Sequence, residues 1–226
     1  MEIQTLSLPS RGWKSQLPES FDMRMFSGKE LSAIARAIET KDLSPILLEA
    51  LPATLSINID MLTVQDAHAL IFQQRMWLKD HPLQVPWKCN KPLFEYSTGI
   101  LAEPLEEENP LNVFSCDAHN IGIIGESAVS VLTLTAESSE FDLVRMKNYE
   151  RAQESMFHWH VAHMGLDFDY SYGILEEQQD MKLWMRLSEW VRASTHGIPN
   201  EIILTCPVCH RESSRTWEML PSIFNA

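Results

Sequence analysis

The 226-residue chain contains no apolar run approaching the roughly 18 residues that a membrane-spanning helix requires, so no segment is expected to cross a bilayer. Residues 1–12 hold no basic stretch followed by an apolar one, and the start does not read as a secretory signal. There are only four cysteines. Without a signal they read as thiols or metal ligands rather than disulfides, as suits a reducing cytoplasm. Basic residues are missing altogether from 92–144, where ten acidic side chains stand unopposed. Residues 1–91 balance ten basic against ten acidic, and 145–226 carry eight against eleven. The net charge of −13 therefore comes mostly from the middle of the chain. Such a stretch repels a phosphate backbone, which argues against nucleic acid as a partner. It either solvates the surface or meets a basic protein.

Catalytic signatures are equally scarce. No glycine-rich loop precedes a lysine, and Gly122-Ile123-Ile124-Gly125 is too short for a phosphate cradle. No Gly-x-Ser-x-Gly elbow occurs. His158, His160 and His163 lie close enough in sequence to suggest a metal with an open position. The glutamate that a zinc-protease helix places inside its histidine pair is missing, however, and these imidazoles read as helix-surface or interface residues. Asp167 with Asp169, and Glu106-Glu107-Glu108, read as solvated carboxylates. The pattern indicates neither an enzyme nor a small-molecule substrate.

What is present is a globular composition, 45% hydrophobic and 22% charged, able to bury a core without disulfides. Residues 1–26 read as an extended arm, broken by Leu8-Pro9-Ser10-Arg11-Gly12 and Leu17-Pro18. Residues 27–82 read as a helical unit. Ser27 and Glu30 fit a capping box ahead of Leu31, Ile34, Ala35 and Ile38 at helical spacing. Ser44 and Pro45 predict a second start, before Ile46, Leu47 and Leu51. Thr63 predicts a third, with Asp66 in its first turn and Ala67, Leu70, Ile71 and Gln74 along one side. Residues 83–226 read as mixed α+β with the metal knuckle, either as a part of their own or as one continuous domain with the helical unit. Strands are expected over 83–89, 112–116, 128–135 and 202–204, and helices over 141–164 and 176–196. The second of these helices ends at Gly197 in a left-handed conformation. The fold class is α+β.

The strongest local motif is Cys206-Pro207-Val208-Cys209. Two thiols at this spacing after a strand form a knuckle that supplies two corners of a tetrahedron. Cys89 and Cys116 are candidates for the other two, with His119 and His210 as possible replacements. Such a site, holding zinc or an iron–sulfur cluster, would close a loop of more than a hundred residues and couple folding to metal. Buried free thiols and a thioredoxin-like redox pair are the other readings of the same residues.

The N-terminal Leu8-Pro9-Ser10-Arg11-Gly12, the short helices, and Ile59-Asp60-Met61-Leu62-Thr63-Val64-Gln65-Asp66 followed by Leu70 and Arg75 resemble baseplate proteins of T4-like contractile-tailed bacteriophages. The ending is similar, with Gly197-Ile198-Pro199-Asn200 leading through a strand into Cys206-Pro207-Val208-Cys209 and Phe224 near the terminus. The chain departs from the pattern after Cys89, where Asn90-Lys91-Pro92 stands in place of a nearby second cysteine. The resemblance implies a structural or assembly component of the baseplate hub, made in the host cytoplasm and carried in the virion tail. Its partners would be other baseplate and tail proteins, met without catalysis. A zinc-ribbon regulatory protein that binds protein or nucleic acid is the alternative.

Overall fold

The computed structural model describes residues 1–79, 81–89, 92–95, 101–102, 112–116, 119–124, 128–134, 140–177, 181–199, 201–216 and 221–224. The fold is mixed helix and short strand, and the chain divides into two units. Unit 1 comprises Met1–His81, Glu126–Pro199 and Met219–Ala226; unit 2 comprises Pro82–Gly125 and Asn200–Glu218. This partition differs from the expected boundaries, because each unit is assembled from segments far apart in the sequence. Glu106, Glu107 and Glu108 lie outside the described residues.

Unit 1 is mainly helical. Its helices are α1 (Leu31–Thr40), α2 (Val64–Lys79), α3 (Tyr149–Gln153), α4 (Met156–His163), α5 (Phe168–Glu177) and α6 (Met181–Ala193), joined by short 3₁₀ and π turns. Two strands near the N-terminus, β1 (Glu2–Gln4) and β2 (Ser20–Asp22), pair antiparallel. Residues 1–26 thus do more than extend: Leu8, Trp13, Phe21, Met23 and Phe26 are all buried. Ser10 is fastened to the start of α2, its N–H donating to Asp66 Oδ1 at 2.9 Å and its hydroxyl to Oδ2 at 2.6 Å. Asp66 also completes the cap, since its own N–H donates to Thr63 Oγ1 at 3.1 Å. The Leu8–Gly12 segment and the start of α2 therefore meet each other in unit 1.

Several expected elements form differently. The Ser27–Glu30 box is half made: Ser27 N–H and hydroxyl both donate to Glu30, which Arg24 grips at 2.7 and 3.1 Å. The second helix is a single π turn, Ile46–Ala50, and the acceptor ahead of it is Asp42 rather than Ser44. Residues 141–164 do not form one helix, because Ser155 restarts the chain by accepting from His158 N–H at 3.1 Å. The strand expected over 128–135 is replaced, in its described part, by one antiparallel bridge from Ser130 to Gly197 and a bond from Leu132 N–H to the Pro9 carbonyl. Its backbone partners are loops, so no ladder can propagate. Gly197 has φ +83°, as expected, and a Cβ there would lie 3.1 Å from that of Gln65.

Unit 2 is built from strands. β3 (Leu83–Lys88) pairs antiparallel with β7 (His119–Ile124), from Leu83 opposite Ile124 to Lys88 opposite His119. β8 (Glu201–Thr205) pairs antiparallel with β9 (Glu212–Thr216), with Thr205 opposite Glu212. In the sequence between β3 and β7 come the strands of a separate three-stranded sheet, β4 (Pro92–Glu95), β5 (Leu101–Ala102) and β6 (Asn112–Ser115), in the order β5-β4-β6. Gly122-Ile123-Ile124 belongs to β7.

Candidate metal centre

All four cysteines belong to unit 2 and converge. Their sulfurs all lie within 4.8 Å of one another. Cys89 Sγ is 3.8 Å from Cys209 Sγ, and Cys116 Sγ is 3.7 Å from Cys206 Sγ. A disulfide needs about 2.05 Å, so these are free thiols. A tetrahedron of metal–sulfur bonds of about 2.3 Å has edges of about 3.8 Å, which the two measured separations match. The arrangement is compatible with a metal site.

Two hairpins deliver the four, Cys206 with Cys209 on β8–β9 and Cys89 with Cys116 on β3–β7, so each measured contact runs between hairpins. Cys206 directly follows β8 and Cys209 lies three residues before β9. The turn is closed by Cys206 N–H donating to the Arg211 carbonyl and His210 N–H donating to the Cys206 carbonyl, both at 2.9 Å. His210 takes a left-handed φ of 56° to complete it, a conformation that histidine accepts more readily than most residues. Cys89 directly follows β3, and Cys116 lies three residues before β7. They are far apart in sequence, but the pairing of Pro92 with Ser115 brings the chain back beside its own departure point. Sequence spacing alone does not reveal that return; the strand-like run ending on Cys116 is its one visible signal.

The thiols differ in acidity. The Cys209 N–H, 3.5 Å from the Cys206 sulfur, is the main cause holding that thiol down at about 6, against the opposing pull of burial. Burial pushes Cys209 up. Cys89, Cys116 and Cys206 are buried, and with Trp87 they form a hydrophobic cluster of unit 2, joined by Leu204 and Cys209. Among the described residues the clustered ligand group contains no histidine, and His119 and His210 are both exposed.

The α4 histidines do not form a second centre among the described residues. His160 and His163 turn Nδ1 to the carbonyls of Met156 and Trp159, at 2.8 and 2.9 Å, and His158 pairs with Ser155 Oγ at 2.8 Å. Their rings pack on aromatics: His158 stacks on Tyr172, His160 leans on Trp184, and His163 meets the edge of Trp190. His163 is buried in unit 1 rather than presented at its surface. No described helix is long and apolar enough to cross a membrane.

No family model matches the chain, nor does any curated protein or solved structure.

Proposed function

We propose that the chain is a structural or assembly protein whose unit 2 is a zinc ribbon folded on one zinc ion, held by Cys89, Cys116, Cys206 and Cys209. The observation that carries this reading is the mutual approach of four sulfurs within 4.8 Å. An ion with four protein thiolates has no open position for substrate or water, which is the coordination of structural rather than catalytic zinc. An iron–sulfur cluster spreads its thiolates over several irons, whereas the sulfur separations here suit a single ion. The resemblance of residues 8–12, 59–75 and 197–209 to baseplate proteins of T4-like phages supports a role in the hub region of a contractile tail. There the chain would act through contacts with other tail proteins, during assembly in the host cytoplasm and in the virion tail. The acidic stretch 92–144 favours basic surfaces on those partners.

Elemental analysis of freshly purified protein tests the metal directly. One equivalent of zinc is expected, lost in Cys206→Ser/Cys209→Ser; zinc-free protein from a zinc-supplemented preparation overturns the reading. Strong visible absorbance would indicate a cluster instead. Charge reversal of Glu106, Glu107 and Glu108 tests the partner chemistry, with weakened assembly expected.

The ribbon geometry also suits a regulatory protein that binds nucleic acid. Unit 2, however, carries four basic residues (Lys88, Lys91, Arg211, Arg215) against nine acidic ones. Affinity for duplex DNA that falls steeply with salt would favour the regulatory reading, and its absence the assembly reading.

A further inference from the structure

The two hairpins of unit 2 carry their cysteines at identical offsets. In each, one cysteine follows the last residue of the first strand, at Cys89 and Cys206, and the other precedes the second strand by three, at Cys116 and Cys209. The last strand pairs before each turn, Lys88 with His119 and Thr205 with Glu212, are likewise equivalent. What differs lies between the cysteines. One knuckle has Pro207-Val208, and the other has residues 90–115.

The described residues of that segment, 92–95, 101–102 and 112–115, form a sheet of their own. β4 pairs with β5 and with β6, and the register from Pro92–Ser115 to Glu95–Asn112 brings the segment back to the point where it left. The strands that hold the first knuckle, β3 and β7, pair with each other and with neither β4 nor β6 among the described residues.

From this equivalence we infer that residues 90–115 are a module inserted into the first of two like metal knuckles, and that metal binding by the four cysteines does not depend on it. The inference rests on the metal reading above. The ion and the β3–β7 hairpin form the platform, and the inserted sheet is cargo mounted on it. Contacts made by the insert are therefore separable from the folding of the chain that carries it. Loop-closure entropy points the same way, because a shorter connection between Cys89 and Cys116 costs less to close.

The test replaces residues 90–115 with Pro-Val, copying the second knuckle, and in a second variant with a flexible eight-residue Gly-Ser linker that tolerates a less ideal turn. Each is titrated with Co²⁺ beside the full chain, reading the visible bands of tetrahedral cobalt and the thiolate charge-transfer absorption. At least one shortened chain is expected to bind one Co²⁺ with the parent spectrum and an affinity no more than tenfold weaker than the parent's. If both shortened chains lose the tetrathiolate spectrum or bind more than tenfold more weakly, while the full chain binds, the insertion is integral to the site and the inference fails. A full chain that binds no Co²⁺ overturns the metal reading itself, and this inference with it.

Discussion

Asp66 is completely buried, and its carboxylate accepts from the N–H and hydroxyl of Ser10 while its own N–H is capped by Thr63. Removing it leaves the Ser10 donors buried and unmatched, so Asp66→Ala should cost about 3 kcal/mol by urea unfolding; a loss below about 1 kcal/mol would show that the N-terminal segment is not anchored there. His163 is titratable and buried, and burial holds its imidazole at about 4 against an ordinary 6.5. The neighbouring His160 and His196 are smaller contributors to the same lowering. Between pH 6.5 and about 4 the unfolded chain binds a proton that folded His163 refuses, so stability is full above 6.5 and falls with pH across that window. Glu30 extends the decline. Arg24 holds its carboxyl at about 2, below an ordinary 4.5, and the associated stability is lost as pH falls between those values. In His163→Gln the slope between pH 6.5 and 4 should flatten, even though lost packing and hydrogen bonding lower stability at pH 7 by about 1–3 kcal/mol. An unchanged slope would mean another group carries the acid sensitivity.

At the scale of elements, the breaks between helices matter as much as the helices. Ser155 ends one helical stretch and starts another because its hydroxyl satisfies a free amide of α4. Gly197 joins the end of the α6 segment to residue 130 through paired backbone bonds, Ser130 N–H to its carbonyl and its own N–H to that of Ser130. An alanine there would take an unfavourable left-handed conformation and press on Gln65. Gly197→Ala is therefore expected to lower the unfolding free energy of unit 1 by about 1–2 kcal/mol, read from thermal or urea denaturation. A neutral result would show that residue 197 can relax toward negative φ without breaking the bridge.

Taken whole, the molecule should respond to metal removal unevenly. The sulfurs make up most of one buried cluster in unit 2, whereas unit 1 has its own interior of Ile46, Leu47, Leu62, Ile71, Phe72 and Leu187. Chelation is expected to abolish amide protection in β3, β7, β8 and β9 while α2 retains it, as measured by hydrogen exchange and mass spectrometry. Uniform loss in both units, or none in either, would contradict a metal-dependent ribbon beside a metal-independent helical unit.

By itself the sequence determined the α+β class, the cap at Thr63 with Asp66 in the first turn, strands expected over 83–89 and 112–116, the left-handed Gly197, and the four cysteines as a candidate set. These depend on local chemistry: a side chain reaching its own backbone, apolar periodicity, a φ that only glycine takes easily, and a Cys-x-x-Cys turn. Tertiary structure decided what distant partners decide. It folded residues 1–26 into unit 1 through Ser10 and Trp13, gave residues 128–134 loop neighbours instead of a strand, and split 141–164 at Ser155. It also joined Cys89 to Cys116 across residues 90–115. That last step is the physical reason Cys89 and Cys116 stood in the sequence only as candidates beside His119 and His210: the knuckle is closed by strands pairing around an insertion, and pairing register is a property of two segments that neither encodes alone.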